Sequence, residues 1–250
     1  MGERTRQGYP IPADRNPNGL PENLIFPWDS AATVVSAAQS VGNSAVEALV
    51  DKIRAMIGNP VETEAVATAW RRAARQIVSA IDASEGPGLE SAKAELEARW
   101  VGTGGDAAIT WIGQVVTNGN ETSAILLAMA SELDGMRSQS ITAYKEAIGH
   151  IATTAKLILD TAGGVISKIK KGFDITVITD ALSDFVELAS AVANSLITHM
   201  DAMKTRIESL TNQAIALKVA PLAAPAMADY NDNGGWQPRN PTGSKIGTPR

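Results

Sequence analysis

Apolar residues recur at steps of three or four through most of the chain, which is the spacing of one face of an α-helix. Two long rows stand out. The first consists of Ile125, Met129, Leu133, Met136, Ser140, Tyr144, Ile148, Ile151, Ala155, Ile158, Ala162, Val165 and Ile169. The second consists of Ile178, Leu182, Phe185, Ala189, Val192, Leu196, Met200, Met203, Ile207, Leu210, Ala214 and Leu217. They predict two long helices that pack through their apolar faces.

Glycine and proline divide the part of the chain that precedes these rows. One helix is predicted from Asp29 to about Ile57, and the run Gly58-Asn59-Pro60 ends it. The next helix begins near Val61 and carries apolar residues at Val66, Trp70, Ile77 and Ile81. The run Glu85–Gly88 is expected to interrupt it.

Further helix boundaries are predicted between Leu89 and the first long row. The periodic pattern resumes at Leu89, and residues 101–105 form a predicted turn. Asp106 is a candidate N-cap for the helix that follows, while Asn118-Gly119-Asn120 is a weak point in that helix. The β-branched run at residues 175–178 favours a helix start over a strand, because no partner strand is evident.

Proline is concentrated at the two ends of the chain: five of the 12 prolines lie within residues 1–27 and five within residues 221–250. Proline lacks a backbone donor and clashes with the preceding helical turn. We therefore expect an all-α fold in three parts. Residues 1–28 are an extended Pro-rich tail, residues 29–220 an elongated helical bundle, and residues 221–250 a disordered tail.

The amino-acid composition excludes or disfavours several classes of partner and site. With 22 Lys+Arg against 27 Asp+Glu, the net charge of −5 disfavours nucleic acid as a partner. The chain has no cysteine, which excludes disulfides, thiolate metal sites and a cysteine nucleophile. Only 4% of residues are aromatic, which favours close-packed helices over sheets.

No constellation points to catalysis, a metal or another cofactor. The two histidines, His150 and His199, stand alone, with only Glu146 one turn from His150. The glycine-rich run at residues 102–105 lacks the Lys-Ser/Thr of a phosphate-binding loop and follows no strand. We therefore expect a protein that is not an enzyme and binds no cofactor.

One motif is informative: Trp100-Val101-Gly102 lies between two long helical segments. Gly102 can adopt turn dihedrals that side chains disfavour, and Trp100 can either bury its ring or present it to a partner. The simpler alternative is that Trp100 is a core residue of a helical turn.

With Ala69-Trp70 before it and Asp106-Ala107-Ala108 after it, the segment from about 61 to 160 resembles the WXG100 family of type VII (ESX) secretion substrates. The resemblance implies an antiparallel helical hairpin that turns at Trp100 and Gly102. It also implies secretion or surface location by a route that needs no signal peptide, after a cytoplasmic stage. Its implied partners are another WXG-type helical protein or a second copy, and the type VII machinery.

The chain departs from the family pattern in its export signal. The family pattern is Tyr-X-X-X-Asp/Glu, but the positions four residues after Tyr9, Tyr144 and Tyr230 hold Ala, Ile and Gly. Either a partner supplies the signal or the chain is not itself exported.

Two further hypotheses remain. Ile151–Phe173 combines an apolar side, a Gly-Gly pair and nearby lysines, as in a membrane-active amphipathic helix. Core packing fits better, because residues 29–220 hold 16 basic and 22 acidic side chains, which an anionic membrane would repel. The other hypothesis is a purely structural helical scaffold module.

Overall fold

The protein, seen here as a computed structural model, is helical through most of its described residues, which confirms the all-α prediction. The structure describes residues 8–17, 19–82, 88–162 and 175–217, and the backbone of 237–238. The helices are α1 (Trp28–Ser40), α2 (Ala45–Met56), α3 (Pro60–Ile81), α4 (Leu89–Arg99), α5 (Thr103–Thr161) and α6 (Ile175–Ala216). A 3-10 turn spans Glu22–Leu24, and two short strands, β1 (Trp100–Val101) and β2 (Gln237–Pro238), pair with each other.

The chain divides into two compact units. Unit 1 comprises Met1–Glu64 and Asp134–Lys204, and unit 2 comprises Ala65–Leu133 and Thr205–Arg250. The divisions fall inside α3, α5 and α6, so these helices continue from one unit into the other. The predicted boundary at residue 220 lies outside the described residues.

The core of unit 1 contains five of the 13 members of the first long row. Tyr144, Ile151 and Ile158 on α5 are buried beside Leu182 and Phe185 on α6. The helical period therefore predicts the buried face over residues 144–162 of the first row and residues 178–192 of the second. Val165 and Ile169, the last members of the first row, lie outside the described residues.

The second row predicts burial less accurately towards its C-terminal end. Leu196 and Met203 are buried, but Met200 between them is 37% exposed. Leu196 and Met203 are seven residues apart, so α6 buries a narrower stripe here than the sequence row indicates.

The segment predicted as an extended Pro-rich tail, residues 1–28, packs on helices in the part that the structure describes. Tyr9, Leu24 and Phe26 are buried in the core of unit 1. The rings of Phe26 and Trp28 meet edge to face at 4.9 Å between centroids. Proline prevents a long helix in this segment, but it does not prevent aromatic side chains from packing on helices that are already formed.

The single helix predicted from Asp29 to Ile57 is also wrong, because α1 and α2 are separate. Gly42 has a φ of 78°, and its N–H donates to the Gln39 carbonyl at 3.3 Å. The N–H of Asn43 donates to the Ala38 carbonyl at 2.9 Å. These two bonds form a Schellman motif, which ends a helix at a left-handed glycine. The predicted stop at Gly58-Asn59-Pro60 is confirmed, and α3 begins at Pro60.

Within unit 2, α3 packs through small residues. Ala67, Ala74 and Ile81 are buried at seven-residue spacing, whereas Val66, a predicted apolar position, is 40% exposed. Alanine at these positions lets another helix approach closely, and the Ser123 hydroxyl of α5 donates to the Ala74 carbonyl at 3.2 Å.

The predicted weak point at residues 118–120 is wrong, since α5 is continuous there. A Cβ added at Gly119 would lie 2.6 Å from Cδ1 of Ile81. Glycine at this position therefore allows close helix packing instead of ending the helix. The contacts of Gly119 with Ile81 and of Ser123 with Ala74 run in opposite chain directions, so α3 and α5 are antiparallel here.

Candidate functional site

The candidate site is the elbow, defined here as residues 100–105, between α4 and α5. Helix α4 ends at Arg99, Trp100 and Val101 are extended, and α5 begins at Thr103. Gly102 has a φ of 100°, a conformation that residues with a side chain rarely adopt. The break between helices therefore falls at the predicted motif, and its backbone requires glycine at residue 102.

Gly102 also starts α5. Its carbonyl accepts the N–H of Asp106 at 2.9 Å, which is the first helical hydrogen bond. The prediction that Asp106 is the N-cap is therefore wrong by about one turn. Asp106 lies in the first turn instead, where a carboxylate interacts favourably with the positive end of the helix dipole.

Gly104 and Gly105 are both buried, but space does not require glycine at residue 105. A Cβ at Gly105 would lie 3.6 Å from the Cβ of Trp100, which is ordinary van der Waals contact. Among the three elbow glycines, Gly102 is the one with a positive φ, which favours glycine.

Trp100 is not buried in a core. Its side chain is 36% exposed, and the next residue, Val101, is half-buried. The alternative that Trp100 is a core residue of a helical turn therefore fits poorly. Trp100 therefore presents part of its surface to solvent.

The elbow also pairs with the C-terminal part of the chain. Trp100 lies opposite Pro238 and Val101 opposite Gln237 in an antiparallel two-residue ladder. The sequence does not predict this contact, because a two-residue strand has too few positions to show an alternating pattern. The expected disordered tail over 221–250 otherwise lies outside the described residues.

A groove of about 610 Å³ lies between α4 and α5, close to the elbow in sequence. Its lining residues are Glu90, Lys93, Ala94, Glu97, Thr110, Gly113, Gln114, Val116, Thr117 and Asn118. Helix α4 has no buried residue, so it rests on α5 through partly exposed side chains. The lining mixes small, amide and oppositely charged groups, with Lys93 Nζ 3.6 Å from Glu97 Oε1.

Unit 1 contains a polar cluster around Tyr9 and Asp51 that the sequence pattern does not predict. The Tyr9 hydroxyl donates to Asp51 Oδ1 at 2.9 Å, and Arg54 approaches the same carboxylate at 3.2 Å. The guanidinium of Arg54 also lies 5.7 Å from the ring centroid of Trp28. Burial, reinforced by the bond to Asp51, raises the pKa of Tyr9 well above its usual range. Aromatic residues within a proline-rich segment were the available signal for this cluster.

The other candidate residues from the sequence are not brought together into a site. His150 Nε2 lies 3.9 Å from Glu146 Oε1, a contact within one helix. Among the described residues, no three His, Asp or Glu side chains are grouped as metal ligands. Ile151 and Ile158, from the segment considered for membrane contact, are buried in unit 1, and residues 163–173 lie outside the described residues.

No helix in the described part of the chain is long and apolar enough to cross a membrane. No protein-family model, curated protein or solved structure matches this chain. The case for a family therefore depends on the motif and on the elbow that it forms.

Proposed function

We propose that this chain is a non-enzymatic, WXG100-like protein associated with type VII (ESX) secretion, acting through helix–helix contacts. The observation that carries the proposal is the elbow itself. Trp100-Val101-Gly102 separates two helices, with Gly102 at a φ of 100° and Trp100 36% exposed. A tryptophan and a glycine with these roles suit a turn that also forms a contact surface.

The hairpin of residues 61–160 is part of the same proposal. Support comes from the antiparallel order of contacts along α3 and α5. In unit 2 Ser123 bonds to the Ala74 carbonyl, and in unit 1 Arg137 Nε donates to the Pro60 carbonyl at 3.1 Å. A second helical hairpin, from another WXG-type protein or a second copy, is the expected partner, since paired amphipathic helices recognise one another through apolar rows.

The proposed route is export by type VII machinery from the cytoplasm to the surface or medium. The chain has no Tyr-X-X-X-Asp/Glu pattern at its three tyrosines. We therefore propose that a bound partner carries the export signal and that this chain leaves with it or assists it.

The test is export from a type VII-competent host and from the same host without the secretion ATPase. We expect the tagged chain in the medium of the first strain and its retention in the second. Trp100→Ala should reduce export or partner capture about five- to thirtyfold, because removing a buried aromatic contact at a partner interface costs about 1–2 kcal/mol.

Trp70→Ala is the matched control, since Trp70 is a half-buried tryptophan on α3, away from the elbow. Circular dichroism should show equal helicity in both variants. An unchanged location in the ATPase-deficient strain would instead favour a structural scaffold. Dye release from anionic liposomes at protein concentrations that saturate partner binding would favour a membrane-perturbing role.

A further inference from the structure

The pairing of β1 with β2 depends on backbone groups at the elbow. In an antiparallel ladder, opposed residues alternate between pairs that exchange two N–H···O bonds and pairs that exchange none. Pro238 has no N–H, so the pair Trp100–Pro238 cannot be the bonded one. The reciprocal bonds therefore join Val101 and Gln237.

The same proline limits the size of the sheet. At a non-bonded position the N–H points away from the partner strand, towards the position of a third strand. Pro238 lacks this donor, so at this residue only its carbonyl is left to bond a third strand on its outer side. The pairing is suited to a single added strand.

We propose that β1 at the elbow is a docking edge for one extended segment, and that the C-terminal segment of a second copy of this chain can replace the chain's own. The contacts are the same whether β2 comes from the same chain or from another, since backbone groups carry them. Exchange of an identical element between copies is a low-cost route to association. This inference is independent of the type VII proposal, because it rests on backbone pairing alone.

The chain's own C-terminal segment is favoured over a free one because it is covalently attached. Residues 217–236 connect α6 to β2, which makes the pairing intramolecular. Attached segments of this kind act at effective concentrations of about 1 mM. A free peptide with a Kd of about 0.1 mM should therefore bind about tenfold more weakly while the chain's own segment is in place.

The experiment uses the full-length chain labelled with ¹⁵N and a synthetic peptide of residues 231–250. Gln237→Pro removes the N–H of the bonded pair, whereas Gln237→Ala keeps it and serves as the matched control. We expect the peptide to shift the amide signals of Val101 and Gly102 in both variants, with about tenfold tighter binding to Gln237→Pro. A peptide that itself carries Gln237→Pro should produce no such shift.

Equal affinity for the two full-length variants would overturn the proposal, because the chain's own segment would then not compete for the edge. Shifts confined to residues other than the elbow, or equal binding of the proline-substituted peptide, would overturn it as well.

Discussion

Alanine at residue 102 tests whether the elbow backbone requires glycine. The matched change is Gly149→Ala, which adds the same methyl group at a helical position in α5. Gly102 has a φ of 100°, whereas a Cβ at Gly149 meets no atom within 4 Å. One chemical substitution is thus placed in a forbidden and in a permitted backbone conformation.

The two effects should have opposite signs. Holding a residue with a side chain at positive φ costs about 1–3 kcal/mol. The reduced freedom of the unfolded chain returns about 0.4–1 kcal/mol, which leaves Gly102→Ala destabilising by about 1–2 kcal/mol. Gly149→Ala should stabilise by up to about 1 kcal/mol, because alanine is the better helix former.

Urea denaturation followed by circular dichroism measures both changes. With an m-value of about 3 kcal/mol per molar, the midpoint of Gly102→Ala should fall by about 0.3–0.7 M while that of Gly149→Ala rises. Midpoints that move in the same direction, at unchanged m-values, would refute the argument that backbone conformation selects glycine at the elbow.

The other predictions concern core packing and the pH dependence of stability. Phe185→Ala should lower the free energy of unfolding by about 3–5 kcal/mol, because Phe185 is buried. Leu188→Ala, at a side chain that is 50% exposed on the same helix, should change it by less than about 0.5 kcal/mol; similar losses in the two variants would contradict the packing of α6. Burial raises the pKa of Tyr144 from 10.0 to about 12, so the folded state retains a proton that the unfolded state releases. Stability should therefore fall as pH rises from about 10 to 12, by up to about 1.4 kcal/mol per unit from this group, and Tyr144→Phe should show a smaller slope in pH-dependent urea titrations. An identical slope in the variant would contradict the burial of the phenol.

Fold class, the buried rows and the position of the elbow were all accessible from the sequence. Helical periodicity records which side of a helix faces away from water, so Tyr144, Ile158 and Phe185 could be placed in a core without a structure. Glycine between two periodic segments marked residue 102, because few other residues tolerate its dihedral.

The tertiary structure decided what local pattern does not encode. Gly119 and Gly42 look alike as helix breakers, yet one lies inside α5 against Ile81 and the other ends α1. Gly119 depends on a neighbour 38 residues away in the sequence, whereas Gly42 depends on hydrogen bonds that span three to five residues. Burial of Tyr9 and pairing of β2 with the elbow are likewise long-range contacts. Periodicity reports a segment's own exposure, whereas these contacts depend on which distant segments the fold brings together.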